Sequence, residues 1–174
     1  MGMGIIICGL NGSGKSTLGK ALAEKLNYNF IDIEDLYFSK TDQNYIYASP
    51  RTREEVEKLL LCEIKANENF VLASVKGDYG EAIYPFLQYI VLIDVPKDIR
   101  MQRVKNRSFQ KFGSRMMPGG DLYEQEKRFF DLVESRTESM VEEWVNTINC
   151  PVIRVDGTKP IEENLSYIIG QISR

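Results

Sequence analysis

The chain of 174 residues contains no histidine. That removes imidazole bases and imidazole metal ligands, so proton transfer near neutral pH falls to a carboxylate. Its three cysteines, Cys8, Cys62 and Cys150, are odd in number, far apart and each set among apolar neighbours. They read as reduced core residues rather than a disulfide framework or a metal site. No apolar run approaches a membrane span. Met1–Gly4 leads into only four apolar residues before Gly9, with no n-region or cleavage signal, so a cytoplasmic protein that stays off membranes is expected. Repeats and low-complexity tracts are also missing. A net charge of −3 gives no reason to expect wholesale nucleic-acid binding. Acids are missing locally too: Ile99 to Gly120 holds six cations, Arg100, Arg103, Lys105, Arg107, Lys111 and Arg115, and no acid, so the remainder of the chain carries −9. What is left is ordinary: 43% apolar residues, 27% charged, and a length that suits one domain over residues 1–174.

One motif is present in full. Gly9-Leu10-Asn11-Gly12-Ser13-Gly14-Lys15-Ser16-Thr17 matches G-x-x-x-x-G-K-[ST], with the apolar run Ile5–Cys8 before it and an amphipathic run to Leu26 after it. Such a loop turns backbone N–H groups inward around phosphates, in a conformation that side chains resist. Gly9, Asn11, Gly12, Ser13, Gly14, Lys15, Ser16 and Thr17 are therefore the expected phosphate-binding residues. Lys15 reaches the outer phosphates, the Ser16 hydroxyl ligates Mg²⁺, and the following helix points its positive end at the anion. The dinucleotide pattern G-x-G-x-x-G is absent, because Thr17 stands where its last glycine belongs.

Periodicity then reads as alternating strands and helices. Strands are expected at Gly4–Cys8, Tyr28–Ile33, Phe70–Val75, Tyr89–Asp94 and Pro151–Val155. Helices are expected from Lys15 to Leu26, over Leu36–Lys40, from a capping box at Thr52/Glu55 to Asn67, from Pro96 to Arg107, from an Asp121 cap to Thr147, and over Ile161–Ser173. Ser108–Gly120, with Gly113 and Pro118-Gly119-Gly120, reads as a hinged basic loop. The pattern demands a three-layer α/β/α fold around a five-stranded parallel sheet, with the ligand at the carboxyl ends of the strands.

Phosphoryl transfer needs a phosphate cradle, Mg²⁺, cations near the transferring group and an acceptor site. Asp32, ending a strand expected beside the first, is the first choice for the carboxylate that joins Ser16 on Mg²⁺. Glu34 shares the ion or takes the acceptor's proton. The alternative is that Asp32 caps the next helix and Glu34 and Asp35 are solvated in its first turn. Asp94 is the rival metal ligand, with a structural look. Arg107 and Arg115 are expected on phosphate, with residues 108–120 closing as a lid, while Arg100 alone suits a solvated face.

Three passages carry a family resemblance. Gly9–Thr17, then Val91–Pro96 running into Arg103–Arg107, then Val155–Pro160 together resemble the small P-loop kinases of the nucleoside-monophosphate and shikimate kinase superfamily. The resemblance implies strand order 2-3-1-4-5, Arg103 stacked on adenine, Arg107 on phosphate, and a final loop with Asp156 and Gly157 lining the adenine through its backbone. Asp32-Ile33-Glu34 is similar to the acidic D-x-D of shikimate kinases. The chain departs from adenylate kinases after strand three, where Ala73–Asp78 lacks their aspartate and arginine, so AMP is not the expected acceptor. Arg51 and Arg53, in an acceptor-side insert at about 34–67, and Lys76 and Asp78 after strand three are the candidate acceptor contacts. The resulting expectation is an ATP- and Mg²⁺-dependent kinase of a small metabolite, monomeric or homodimeric. A nucleotide kinase and an ATP-binding regulatory protein are the alternatives.

Overall fold

The computed structural model, which describes residues 2–173, pairs five parallel strands in the order β2-β3-β1-β4-β5. They are β1 (Gly4–Cys8), β2 (Asn29–Asp32), β3 (Phe70–Ala73), β4 (Leu87–Asp94) and β5 (Val152–Asp156). All four pairings are parallel, so every carboxyl end reaches the same edge. Among the described residues seven α-helices connect and cover them: α1 (Lys15–Leu26), α2 (Ile33–Tyr37), α3 (Arg53–Ala66), α4 (Lys97–Phe112), α5 (Tyr123–Ser135), α6 (Glu138–Val145) and α7 (Ile161–Ile172). Residues of β1 alternate between two cores. Ile6 and Cys8 pack with α3 and α6, while Ile5 and Ile7 pack with α1 and α7. A central strand covered on both faces must be apolar throughout, and β1 and β3 are buried at every position.

The capping box at Thr52 and Glu55 forms as expected and starts α3. Five expectations need correction. First, α2 begins at Ile33, not Leu36, because the Asp32 carboxylate accepts the Glu34 N–H at 3.0 Å and so places Glu34 and Asp35 in the first turn. Second, α4 continues through Ser108–Phe112 and stops only at Gly113, whose φ of +56° suits a residue without a Cβ. A 3-10 turn, Gly113–Met116, follows, so only the later part of the expected loop is irregular.

Third, the single long helix after Asp121 is two helices, broken at Arg136–Thr137. Both break residues are extended, and the Ser135 hydroxyl bonds back to the Leu132 carbonyl at 2.7 Å. Polar side chains that compete for backbone groups end a helix without proline or glycine. The break lets Val141, Trp144 and Val145 turn into the core. Asp121 caps nothing, since its carboxylate is taken by Arg115. Fourth, Cys62 is exposed on α3, while Cys8 is buried. Fifth, Arg100 is not solvated. It is 2% exposed, its Nε donating to the Val95 carbonyl at 2.9 Å and its Nη2 to Glu138 at 2.9 Å. No described helix is long and apolar enough to cross a membrane.

Candidate active site

The loop after β1 is built by two glycines whose conformations other residues resist. Gly12 has φ of +82° and Gly14, at the N-cap of α1, has φ of +94°. A Cβ at Gly12 would also lie 2.4 Å from the Arg100 carbonyl oxygen, so α4 can approach the loop only because Gly12 has none. The Leu18 N–H returns to the Gly14 carbonyl at 2.9 Å and starts α1, leaving the exposed Ser16 and Thr17 in its first turn. The Gly9 N–H donates to the Val75 carbonyl at 3.2 Å, tying the loop to the end of β3.

Lys15 is the electrostatic centre. Its side chain is partly covered by surface area, but its ammonium is enclosed, and its one hydrogen bond is to the Leu10 carbonyl at 3.2 Å. Burial lowers its pKa to about 8; Cys8 and, less strongly, Asp32 push back, while the positive charges of Arg107 and Arg136 add to the lowering. An enclosed cation with neighbouring cations and no direct anion fits a bound polyphosphate. Ser13 points the same way, being 2% exposed with a hydroxyl that has no protein partner.

The structure brings Asp32 close enough for its charge to act on Lys15. The strand ending in Asp32 lies beyond β3, however, rather than beside β1. Its Oδ1 caps α2, which is the alternative reading of this residue, and that bond leaves the second carboxylate oxygen free of the cap. No group of three or more acidic or cysteine side chains gathers to hold a metal among the described residues. One carboxylate and the Ser16 hydroxyl still fit Mg²⁺, which keeps several waters and takes phosphate oxygens. Glu34 is drawn toward Lys40 at 3.2 Å and acts on the Tyr47 phenol, whose pKa is pushed up to about 12 by burial first and this carboxylate second.

The six cations of residues 99–120 separate into different roles. Arg103 donates to the Gly12 carbonyl at 3.2 Å and the Gly157 carbonyl at 3.1 Å, joining the phosphate loop to the turn after β5. Arg107 and Arg103 line a cleft of about 340 Å³ with Gly12–Gly14, Thr17, Gly157, Lys159 and Asn164. Asp156 receives the Thr158 N–H at 2.8 Å and shapes that turn. Lys111 bonds the Tyr47 hydroxyl and lies over its ring. Arg115 pairs with Asp121 at 2.8 Å and with the Asn44 carbonyl at 2.7 Å, and is not among the charges that act on Lys15. Lys105 is exposed.

Of the four acceptor candidates, three meet. Asp78 pairs with Lys76 at 3.1 Å and with Arg53 at 3.4 Å; Arg53 also pairs with Glu57 at 3.1 Å and lies over the Tyr79 ring. Arg51 is elsewhere, donating to the Leu36 carbonyl at 2.8 Å. Sequence reasoning missed Arg136, at the α5–α6 break, which donates to Oδ1 of Asn11 at 2.7 Å. A run read as one helix held no signal for it. It also missed the aromatic contacts of Tyr45 and Tyr47 with Phe112, which join the insert to α4.

A larger hollow, about 550 Å³, lies between α6 and the ends of β4 and β5. Its walls carry Asp94, Glu138, Glu142 and Asp156 against Arg100 and Arg154, the wrong balance for a polyphosphate. The candidate site for a polyphosphate is therefore the cleft at Gly12–Gly14 rather than this hollow.

Comparison with known proteins agrees with this geometry. A protein-family model described as an AAA domain, AAA_18, matches residues 5–115. A shikimate kinase of Gloeobacter violaceus is 30% identical over 128 residues, covering 70% of this chain and 71% of that protein. The uncharacterized protein YqaC of Bacillus subtilis is 28% identical over 177 residues, covering 97% of each. The crystal structure of shikimate kinase from Bacteroides thetaiotaomicron aligns with a TM-score of 0.62 at 19% identity, covering 99% of each chain. That of a gluconokinase from Sinorhizobium meliloti 1021 aligns with 0.58 at 17%, covering 98% of this chain and 91% of the other. At such identities the structural likeness speaks to fold alone. With the matched model spanning most of the chain and the phosphate loop and strand order in place, the chain belongs to the AAA-domain family of P-loop proteins and is of the small P-loop kinase type that includes nucleoside-monophosphate and shikimate kinases.

Proposed function

We propose that the protein transfers the γ-phosphoryl group of ATP, with Mg²⁺, to a hydroxyl of a small metabolite. The observation that carries this reading is the convergence on Lys15: two further cations, Arg107 and Arg136, and one carboxylate, Asp32, act on it from three different segments. Phosphoryl transfer requires that combination of positioning and neutralisation. Mg²⁺, held by Ser16 and Asp32, would draw charge from the phosphates. The base is a carboxylate in this reading, since the chain has no histidine, and Glu34 is the candidate for it. Arg53, Lys76 and Asp78 form a polar floor after β3 suited to an acceptor with anionic and hydroxyl groups. The kinase relative reported above at 30% identity is named for shikimate, which favours a hydroxyl acceptor over a nucleotide.

A panel of hydroxy acids, sugar acids, polyols and nucleoside monophosphates, each offered with Mg-ATP and read by ADP release, tests the reading. Stimulation by one hydroxyl acceptor is the expected result. Stimulation by monophosphates alone would move the assignment to a nucleotide kinase. ADP release that no acceptor changes would leave an ATP-binding regulatory protein.

A further inference from the structure

We propose that Trp144 is a positioning residue for the acceptor: its indole sets where the loop carrying Lys76 and Asp78 lies, without touching the acceptor itself. This deepens the kinase reading above and rests on the acceptor site assigned there. Gly77, between the two charged residues, is buried against the indole. A Cβ here would lie 2.6 Å from Cζ2 and 2.8 Å from Cη2 of Trp144, and 2.7 Å from Cδ1 of Ile6. Gly77 does not have a positive φ, so close approach rather than backbone conformation calls for glycine. Hydrogen bonds tie the residues around it. The Val75 carbonyl accepts the Gly9 N–H, the Lys76 carbonyl accepts the Ser74 hydroxyl at 2.7 Å, and the Asp78 carbonyl accepts from Arg53. Between these ties the chain rests on the ring of Trp144.

The indole serves by its size. Trp144 is 6% exposed, and its Nε1–H is buried with no partner among the described residues. An unpaired buried donor is a cost that phenylalanine would avoid, so the property of tryptophan in use here is the reach of the larger ring. Its helix is fixed from the other end. Arg136, just before α6, holds Asn11 of the phosphate loop, and Glu138 holds Arg100, whose carbonyl faces Gly12. An eight-residue helix, about 12 Å long, therefore stands between the donor loop and the loop after β3 and fixes their spacing. Transfer depends on that spacing, because a displacement of about 1 Å costs as much as 10²-fold in rate.

The test repeats the panel of hydroxy acids, sugar acids and polyols with Mg-ATP on the full chain and on Gly77→Ala, Trp144→Phe and the double variant. It measures kcat/KM for the acceptor that stimulates the wild type, and KM for ATP. Gly77→Ala should lower acceptor kcat/KM by about 10- to 10²-fold and leave the KM for ATP unchanged, because the enclosed indole cannot give way and the loop must lift. Trp144→Phe removes the outer edge of the ring, so in the double variant the new methyl group has room and most of the loss should be recovered. General destabilisation would not produce that rescue. An unchanged acceptor constant in Gly77→Ala, a loss shared equally with ATP, or additive losses in the double variant overturns the assignment of Trp144 while leaving the kinase reading. If the Trp144 variants do not fold, Gly77→Ala decides alone. If no compound of the panel stimulates ADP release by the wild type, the hydroxyl-acceptor reading falls and this inference with it.

Discussion

Arg136 donates to Oδ1 of Asn11 at 2.7 Å, although 125 residues separate them. The bond fixes the guanidinium from the α5–α6 break against the phosphate loop, where its charge acts on Lys15. Arg136→Met should lower turnover by about 10²-fold, the scale for removing one cation or donor preorganised at developing charge. Asn11→Ala should lose less, because it removes only the tether. Steady-state ADP release from the two single variants and the double variant measures the coupling; additive effects would show that the contact does not position Arg136.

Lys15 gives a pH dependence with a definite sign. Its folded pKa, about 8, lies below the ordinary lysine value of 10.5. Phosphate binding favours the ammonium, so ATP affinity should weaken as pH rises through 8, and Lys15→Met should flatten that dependence. Stability of the free protein runs the opposite way. The cost of burying the charge is present in full below pH 8 and is relieved as pH rises toward 10.5. Lys15→Met should therefore be the more stable protein at pH 7, by about 2 kcal/mol after discounting the partly covered side chain. That advantage should shrink by pH 10. Urea melts of both proteins across this range, with nucleotide titrations, check both statements.

Asp32 both caps α2 and acts on Lys15. Asn caps a helix as well as Asp does, so Asp32→Asn keeps the cap and removes the charge. Thermal stability should change little and nucleotide affinity should largely remain, while turnover should fall by more than about 10²-fold. Unchanged turnover would assign the Mg²⁺ carboxylate elsewhere.

Gly12→Ala combines a positive φ with a Cβ 2.4 Å from the Arg100 carbonyl. The backbone conformation alone costs about 1–3 kcal/mol, and the clash must push α4 off the loop. ATP binding should be lost, with a lowered melting temperature. Wild-type affinity in this variant would mean that the observed loop conformation is not the binding one.

Tyr45 tests the contact between the insert and α5. Its hydroxyl donates to Glu126 at 2.8 Å; Glu126 is 1% exposed, and its second carboxylate oxygen has no partner. Tyr45→Phe should cost about 1–3 kcal/mol by stranding a buried acceptor. Adding Glu126→Leu should recover part of that loss, since removing both polar partners is cheaper than removing one. Equal loss in single and double variants would show that the hydrogen bond contributes nothing.

The phosphate loop, the five strands, the capping box and the alternating order were legible in the sequence because each is short-range. A glycine spacing, an apolar run or a Thr-x-x-Glu pair states its own local conformation. Gly12 and Gly14, Lys15 and Ser16 could be placed for the same reason. The fate of the Ile99–Gly120 cations could not. One helix face grouped Arg100, Arg103 and Arg107 and gave Arg100 only a solvated place, but tertiary packing buried Arg100 against Glu138, set Arg103 across two carbonyls and left Arg107 at the cleft. Arg115 went to Asp121 for want of any local rule against it. Arg136 gains its meaning only from a partner that the chain brings to it in space, Asn11. A local pattern fixes backbone conformation over a few residues. Which charged side chain faces a ligand depends on desolvation and on partners far away in sequence, and only the assembled sheet and helices decide that.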